Sequence, residues 1–140
     1  MNNRKSKRVL LNTNVLIYNG YINLSKNVIN FIELIVKQNN IDVNSKLKEF
    51  DISHKLTLFI NTLKELQNNK PITFTQILKN IFETLECIQQ NLKDLKDAIS
   101  YDNTRYFNYL RTPTYLHILE KLESNNKILN ERLQFVIKIN

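Results

Sequence analysis

The chain has 140 residues, a formal net charge of +7, one cysteine, one glycine and two prolines. A chain of this length buries roughly two-thirds of the surface it exposes when unfolded, so it needs no covalent staples. The lone Cys87 excludes a disulfide framework and an all-cysteine metal cage, and Gly20 as sole glycine excludes the glycine-rich loops of P-loop and dinucleotide sites.

Cysteine usage fits a reducing, intracellular compartment. Asn, Ile and Lys are abundant, and their A/T-rich codons point to an AT-rich genome of the kind found in large DNA viruses and intracellular parasites.

Residues 1–8 are polar and basic, and Arg4, Lys5, Lys7 and Arg8 supply four of the positive charges. The expectation is a disordered basic tail ahead of a single helical domain over 9–140. Such a run reads as a nuclear-import signal, as an arm contacting nucleic-acid phosphates, or as a plain solvated terminus. The apolar run that follows is interrupted by Asn12, Thr13 and Asn14, which argues against a secretory signal. The longest apolar stretch, Val28 to Val36, is far short of a bilayer span and contains Glu33.

Residues 9–24 hold the strand signal. Val15-Leu16-Ile17-Tyr18 and Tyr21-Ile22-Asn23-Leu24 flank Asn19-Gly20, a dipeptide favoured in two-residue hairpin turns. The β-branched and aromatic content favours a small hairpin lying on the helices. The competing reading is a short helix over 8–18 closed by Gly20 in a left-handed cap. Val9-Leu10-Leu11-Asn12-Thr13-Asn14-Val15-Leu16-Ile17-Tyr18 resembles the opening strand of PIN-domain ribonucleases. That resemblance implies divalent-metal-dependent nuclease activity. The family carries a metal-binding Asp where this chain has Asn12, and an amide is a poor ligand for a hard cation. The alternating strands and helices of an α/β nuclease are not seen downstream.

The spacing predicts a helix over 25–38, with Ser25 as cap and Leu24 and Ile29 as staple. It is apolar nearly all round, which fits burial on several sides or an interface. Residues 39–44 read as a polar link. A second helix covers about 45–69, broken near Asp51, which can restart it as a cap. Ile52, Leu56, Phe59, Leu63 and Leu66 follow heptad spacing. The short connection through Pro71 makes this helix an expected antiparallel neighbour of the next.

The strongest pattern is the next helix, from Thr73 to Ile99. Leu78, Ile81, Leu85, Ile88, Leu92, Leu95 and Ile99 alternate steps of three and four. Thr73 with Gln76 forms a capping pattern, and Ile72 and Ile77 a staple. A final helix is expected from Thr112 as cap and Pro113 as first residue. Tyr115, Leu119, Leu122, Leu129, Leu133 and Val136 form its seam, interrupted by Asn126, which costs stability and fixes register.

No residue is assigned a catalytic, cofactor-binding or metal-binding role. His54 and His117 fall on outer heptad positions and read as surface histidines. Cys87 flanks the seam without an activating base, and the pairs Glu83/Glu86 and Asp94/Asp97 read as a solvated charged face. The unusual segment is 101–115. Its Tyr101, Arg105, Tyr106, Tyr109 and Arg111 have the profile of an interface hot spot. Aromatics beside arginines also stack on single-stranded nucleic acid.

The expected fold is all-α: a four-helix bundle with antiparallel coiled-coil-like packing, with the N-terminal hairpin or short helix laid against it. The expected function is non-enzymatic. It is that of a helical interaction or scaffold protein with a protein partner or a second copy of itself, in a virus a structural or host-interacting role. The alternative is a basic nucleic-acid-binding accessory protein.

Overall fold

The computed structural model describes the backbone of residues 2–69, 75–104 and 112–137, and the side chains of 16–67, 76–104 and 112–137. The described backbone is helical between short turns: α1 (Asn2–Val36), α2 (Ile41–Phe50), α3 (Ile52–Asn69), α4 (Thr75–Thr104) and α5 (Tyr115–Leu133). Among the described residues there is no strand.

The expected hairpin is replaced by helix. α1 runs unbroken through Asn19-Gly20, and no glycine has positive φ. The reason lies in the spacing of the side chains around the turn signal. Tyr18, Ile22, Ser25, Val28, Ile32 and Ile35 are all buried and recur every three or four residues, a helical stripe that outweighs one local turn preference. The same helix contains residues 9–18, so the stretch resembling a nuclease strand is not a strand. Ser25 is a mid-helix residue whose hydroxyl donates to the Tyr21 carbonyl at 2.8 Å, not a cap. α1 starts at Asn2 and takes in the backbone of the expected tail.

Two left-handed residues shape the next turn and kink. Asn39 (φ 58°) follows α1, and the side chain of Asn40 accepts from Val43 N–H at 3.0 Å to cap α2. The link is therefore shorter than expected. Asp51 (φ 55°, ψ 33°) ends α2, its N–H bonded to the Leu47 carbonyl at 3.2 Å. Its own carbonyl accepts from Lys55 N–H at 3.2 Å, so one residue both closes α2 and opens α3. The break falls at the expected place, and aspartate is among the few residues that visit the left-handed region readily.

The seam of α4 is wholly covered. Leu78, Ile81, Leu85, Ile88, Leu92, Leu95 and Ile99 are all buried. From α3, Ile52, Leu56, Phe59, Ile60 and Leu63 join them; from α5, Leu119, Leu122, Leu129 and Leu133 do so. One chain covers both long seams, so the seams do not call for a second copy. The Thr73 cap and the staple with Ile72 lie outside the described residues.

The arrangement of neighbours differs from the expected one. Among the described residues α3 packs chiefly on α1, α1 also on α4, and α4 on α5, while the backbone of α3 is in close register with neither α4 nor α5 and reaches α5 through the long Lys55 side chain. Side-chain pairs give the directions. Tyr21 meets Phe82, Phe31 meets Lys96, and Gln38 meets Ser100, so α1 and α4 are parallel. Asp102 meets Thr114, Asn91 meets Asn125, and Thr84 meets Arg132, so α4 and α5 are antiparallel. Asp42 meets Tyr115, and Lys55 meets Asn126, so the α2–α3 arm runs parallel to α5. Around the bundle the order is thus α1, α4, α5, α2–α3, with α3 and α4 diagonal. With helices about 8–10 Å apart, a diagonal is roughly 14 Å. The six steps from Asn69 to Thr75 reach about 20 Å. A short connection therefore limits the reach of the next helix without making it a neighbour.

Candidate partner-binding end

One end of the bundle gathers the α1–α2 turn, the end of α4 and the start of α5. Hydrogen bonds made by three side chains, Gln38, Asp102 and Tyr115, tie these elements together. Gln38 Nε2 donates to Ser100 Oγ at 2.9 Å, and also to the Lys96 carbonyl at 3.3 Å. The Asp102 carboxylate accepts from the Thr114 backbone N–H at 2.9 Å and from its hydroxyl at 3.0 Å. The Tyr115 hydroxyl donates to Asp42 at 3.4 Å.

Asp102 acts as a cap supplied by a neighbouring helix. Thr114 sits before α5 with helical angles (φ −69°, ψ −24°) and makes no side-chain cap of its own. The Asp102 carboxylate takes over that duty and places negative charge at the positive pole of α5. α5 begins at Tyr115, later than the expected start at Thr112 and Pro113. Burial pushes the Tyr115 hydroxyl above its ordinary pKa of 10.0, with Asp42 and Asp102 adding to the rise and an Asn40 hydrogen bond opposing it.

Against this fixed base, several large apolar side chains face solvent. Ile41 is 83% exposed and Tyr101 54%, and Val36 and Leu116 are exposed as well. Beside them lies an open cleft of about 370 Å³ between the last turns of α1 and the α2–α3 kink, lined by Ile32, Val36, Asn44, Leu47, Lys48 and Asp51 among others. Among the described residues, Gln38 Oε1 and Asn44 Oδ1 are buried without a hydrogen-bond partner, and both belong to this end.

Of the residues singled out from sequence, Tyr101 is at this end and exposed. Arg105, Tyr106, Tyr109 and Arg111 lie outside the described residues, as do the side chains of Arg4, Lys5, Lys7 and Arg8. Tyr115, from the same cluster, is buried. His54, His117 and Cys87 are exposed, as are Glu83, Glu86, Asp94 and Asp97. Among the described residues no group of three or more His, Cys, Asp or Glu side chains could hold a metal ion. Among them, too, no helix is long and apolar enough to cross a membrane.

Sequence reading missed Ile41, Val36 and Asp102. Ile41 falls in the stretch expected as a polar link, and its exposure follows from its place at the first position of α2, just after the Asn40 cap. Nothing in the local pattern marks Asp102 as the cap of a helix starting a dozen residues later.

No protein-family model matches the chain, and no solved structure matches it. The chain is similar to an uncharacterized protein of Acanthamoeba polyphaga mimivirus, at 26% identity over a 137-residue alignment. The alignment covers 77% of this chain, which spans 66% of the length of that viral protein.

Proposed function

We propose that this is a non-enzymatic helical interaction or scaffold protein that takes a protein partner at the end bearing Val36, Ile41, Tyr101 and Leu116. The observation that carries the reading is the joint exposure of these four side chains on elements cross-tied by Gln38, Asp102 and Tyr115. A rigid base with apolar groups in water is what an interface needs before it meets its partner. Arg105, Tyr106, Tyr109 and Arg111 follow Tyr101 in sequence and share its hot-spot composition. Likeness to a mimivirus protein favours a viral setting, hence a structural or host-interacting role. The α4/α5 hairpin, with heptad seams on both helices, is the part of the bundle that packs in the antiparallel coiled-coil manner.

The test is a photo-crosslinking residue placed at Ile41 or at Tyr101 in cells making the protein, with exposed Gln90 as control. A discrete protein adduct from the first two positions and none from Gln90 is expected. Adducts of equal yield from all three positions overturn the assignment.

A net charge of +7 favours a second reading, nucleic-acid binding through Arg4, Lys5, Lys7 and Arg8. Fluorescence anisotropy of labelled oligonucleotides at two salt concentrations decides it. Under this reading affinity falls steeply with salt and disappears when the four residues become Ser. Under the leading reading neither protein binds appreciably.

A further inference from the structure

Beneath the apolar seams lies a group that neither adhesion nor partner binding explains. Lys55 of α3 is only 6% exposed. Its Nζ donates to Asn126 Oδ1 of α5 at 2.6 Å and to Asn130 Oδ1 one turn further on. No carboxylate pairs with it among the described ion pairs. Asn126 is itself buried and interrupts the α5 seam between Leu122 and Leu129. A buried ammonium held by two neutral amides is an expensive way to fill an interior, because neither amide repays the lost hydration of the charge. Burial accordingly pulls the Lys55 pKa below 10.5, with nearby Asp51 partly offsetting the shift.

What the arrangement supplies is discrimination. Apart from Asn126, the heptad seams of α3, α4 and α5 are apolar and mutually compatible, and their apolar residues serve equally well a bundle in which α3 lies beside α4. In that alternative α5 moves to the diagonal from α3, and Lys55 loses both amides while staying on an inward face. The crossed arrangement is the one that brings Lys55 of α3 against Asn126 and Asn130 of α5. We propose that Lys55, Asn126 and Asn130 form a topology lock that selects α5, and not α4, as the neighbour of α3. Buried polar groups fixing register or partner number in coiled coils act by the same physics: the correct pairing satisfies them and the wrong one strands them.

The experiment uses the full chain with pairs of spin labels and pulsed dipolar distance measurement. One pair is Thr57→Cys on α3 with the native Cys87 on α4, both exposed. The other is Thr57→Cys with Lys127→Cys on α5, also exposed, in a Cys87→Ser background. With the lock intact, each pair gives a single distance. In Lys55→Leu/Asn126→Leu/Asn130→Leu, which strands no polar group, a second population is expected. It is shorter for the α3–α4 pair and longer for the α3–α5 pair. The single variant Lys55→Met reports the same change if it folds, and the triple variant decides the matter if it does not. A triple variant with the same single distances as the intact protein overturns the proposal, because the apolar seams then select the neighbours unaided.

Discussion

The two helices of the α4/α5 hairpin are built on different principles. α4 offers seven seam residues, Leu78 through Ile99, all apolar and all buried. α5 alternates apolar seam residues with polar ones that each reach a particular partner. Asn125 Nδ2 donates to Asn91 Oδ1 at 2.6 Å, and Asn126 and Asn130 take Lys55. Arg132 donates to the Asn80 carbonyl at 2.7 Å and to the Thr84 hydroxyl. Apolar contact is strong and tolerant of neighbours, whereas a buried hydrogen bond is weak in net terms and demanding of geometry. The contrast separates adhesion, carried by α4, from addressing, carried by α5.

The largest effect that would test this division comes from the α4 seam. Leu85→Ala or Ile88→Ala is expected to lower unfolding free energy by about 2–5 kcal/mol in urea titration, through lost transfer energy and a residual cavity. A cost below that range would mean that α4 is not the adhesive element. Next is Lys55→Met, which leaves the buried Asn126 oxygen without its donor. The expected loss is about 1–3 kcal/mol for an unsatisfied buried polar group. Stability at or above that of the unaltered protein in Lys55→Leu/Asn126→Leu/Asn130→Leu would confirm that the polar set contributes address and little adhesion.

A smaller gain is expected on α1. Gly20 is helical and exposed, and a Cβ built there meets nothing within 4 Å. Gly20→Ala is therefore expected to raise stability by about 0.5–1 kcal/mol, because alanine restricts the unfolded chain and suits a helix. Thermal unfolding measures it. The smallest signal is alkaline. Because the Lys55 pKa is lowered in the fold, the unfolded chain holds that proton more tightly. Stability should then rise as pH climbs through the folded-state pKa toward 10.5, and Lys55→Met should abolish the slope. Tyr18, Tyr21 and Tyr115 act in the opposite sense, since their raised values make folding less favourable once pH passes about 10. Urea midpoints measured between about pH 8 and about pH 10, below the range in which the tyrosines titrate, isolate the lysine.

Periodicity made much of the interior legible. The α4 seam, the inner face of α3 from Ile52 to Leu63, and the break at Asp51 follow from spacing and turn chemistry. Asn126 was recognisable as a polar interruption, though its partner was not. A heptad says which side chains leave water and is silent about which helix covers them, so the pairing of α3 with α1 had no local signature. At Asn19-Gly20 the turn signal was real but local, and the wider stripe from Tyr18 to Ile35 prevailed. The end proposed to take a partner was half legible. Tyr101 stood out by composition, while the exposure of Ile41 and Val36 beside it comes from a convergence of three elements that no stretch of sequence records.

The crossed order of helices also sets the pace at which the molecule can assemble. Contacts within the α4/α5 hairpin close modest loops: Asp102 and Thr114 are 12 residues apart, and Asn91 and Asn125 are 34 apart. The parallel pairs join far more distant points, 58 residues for Gln38 with Lys96 and 71 for Lys55 with Asn126. Loop closure grows costlier with separation, and chains rich in distant contacts fold more slowly. The hairpin is thus the expected nucleus, with α1 and the α2–α3 arm docking afterwards. Pulse-labelled amide exchange during refolding should find α4 and α5 protected first. A mimic of the fold with α3 placed beside α4 would reach its native state faster, so this chain's topology trades speed of assembly for a particular set of neighbours.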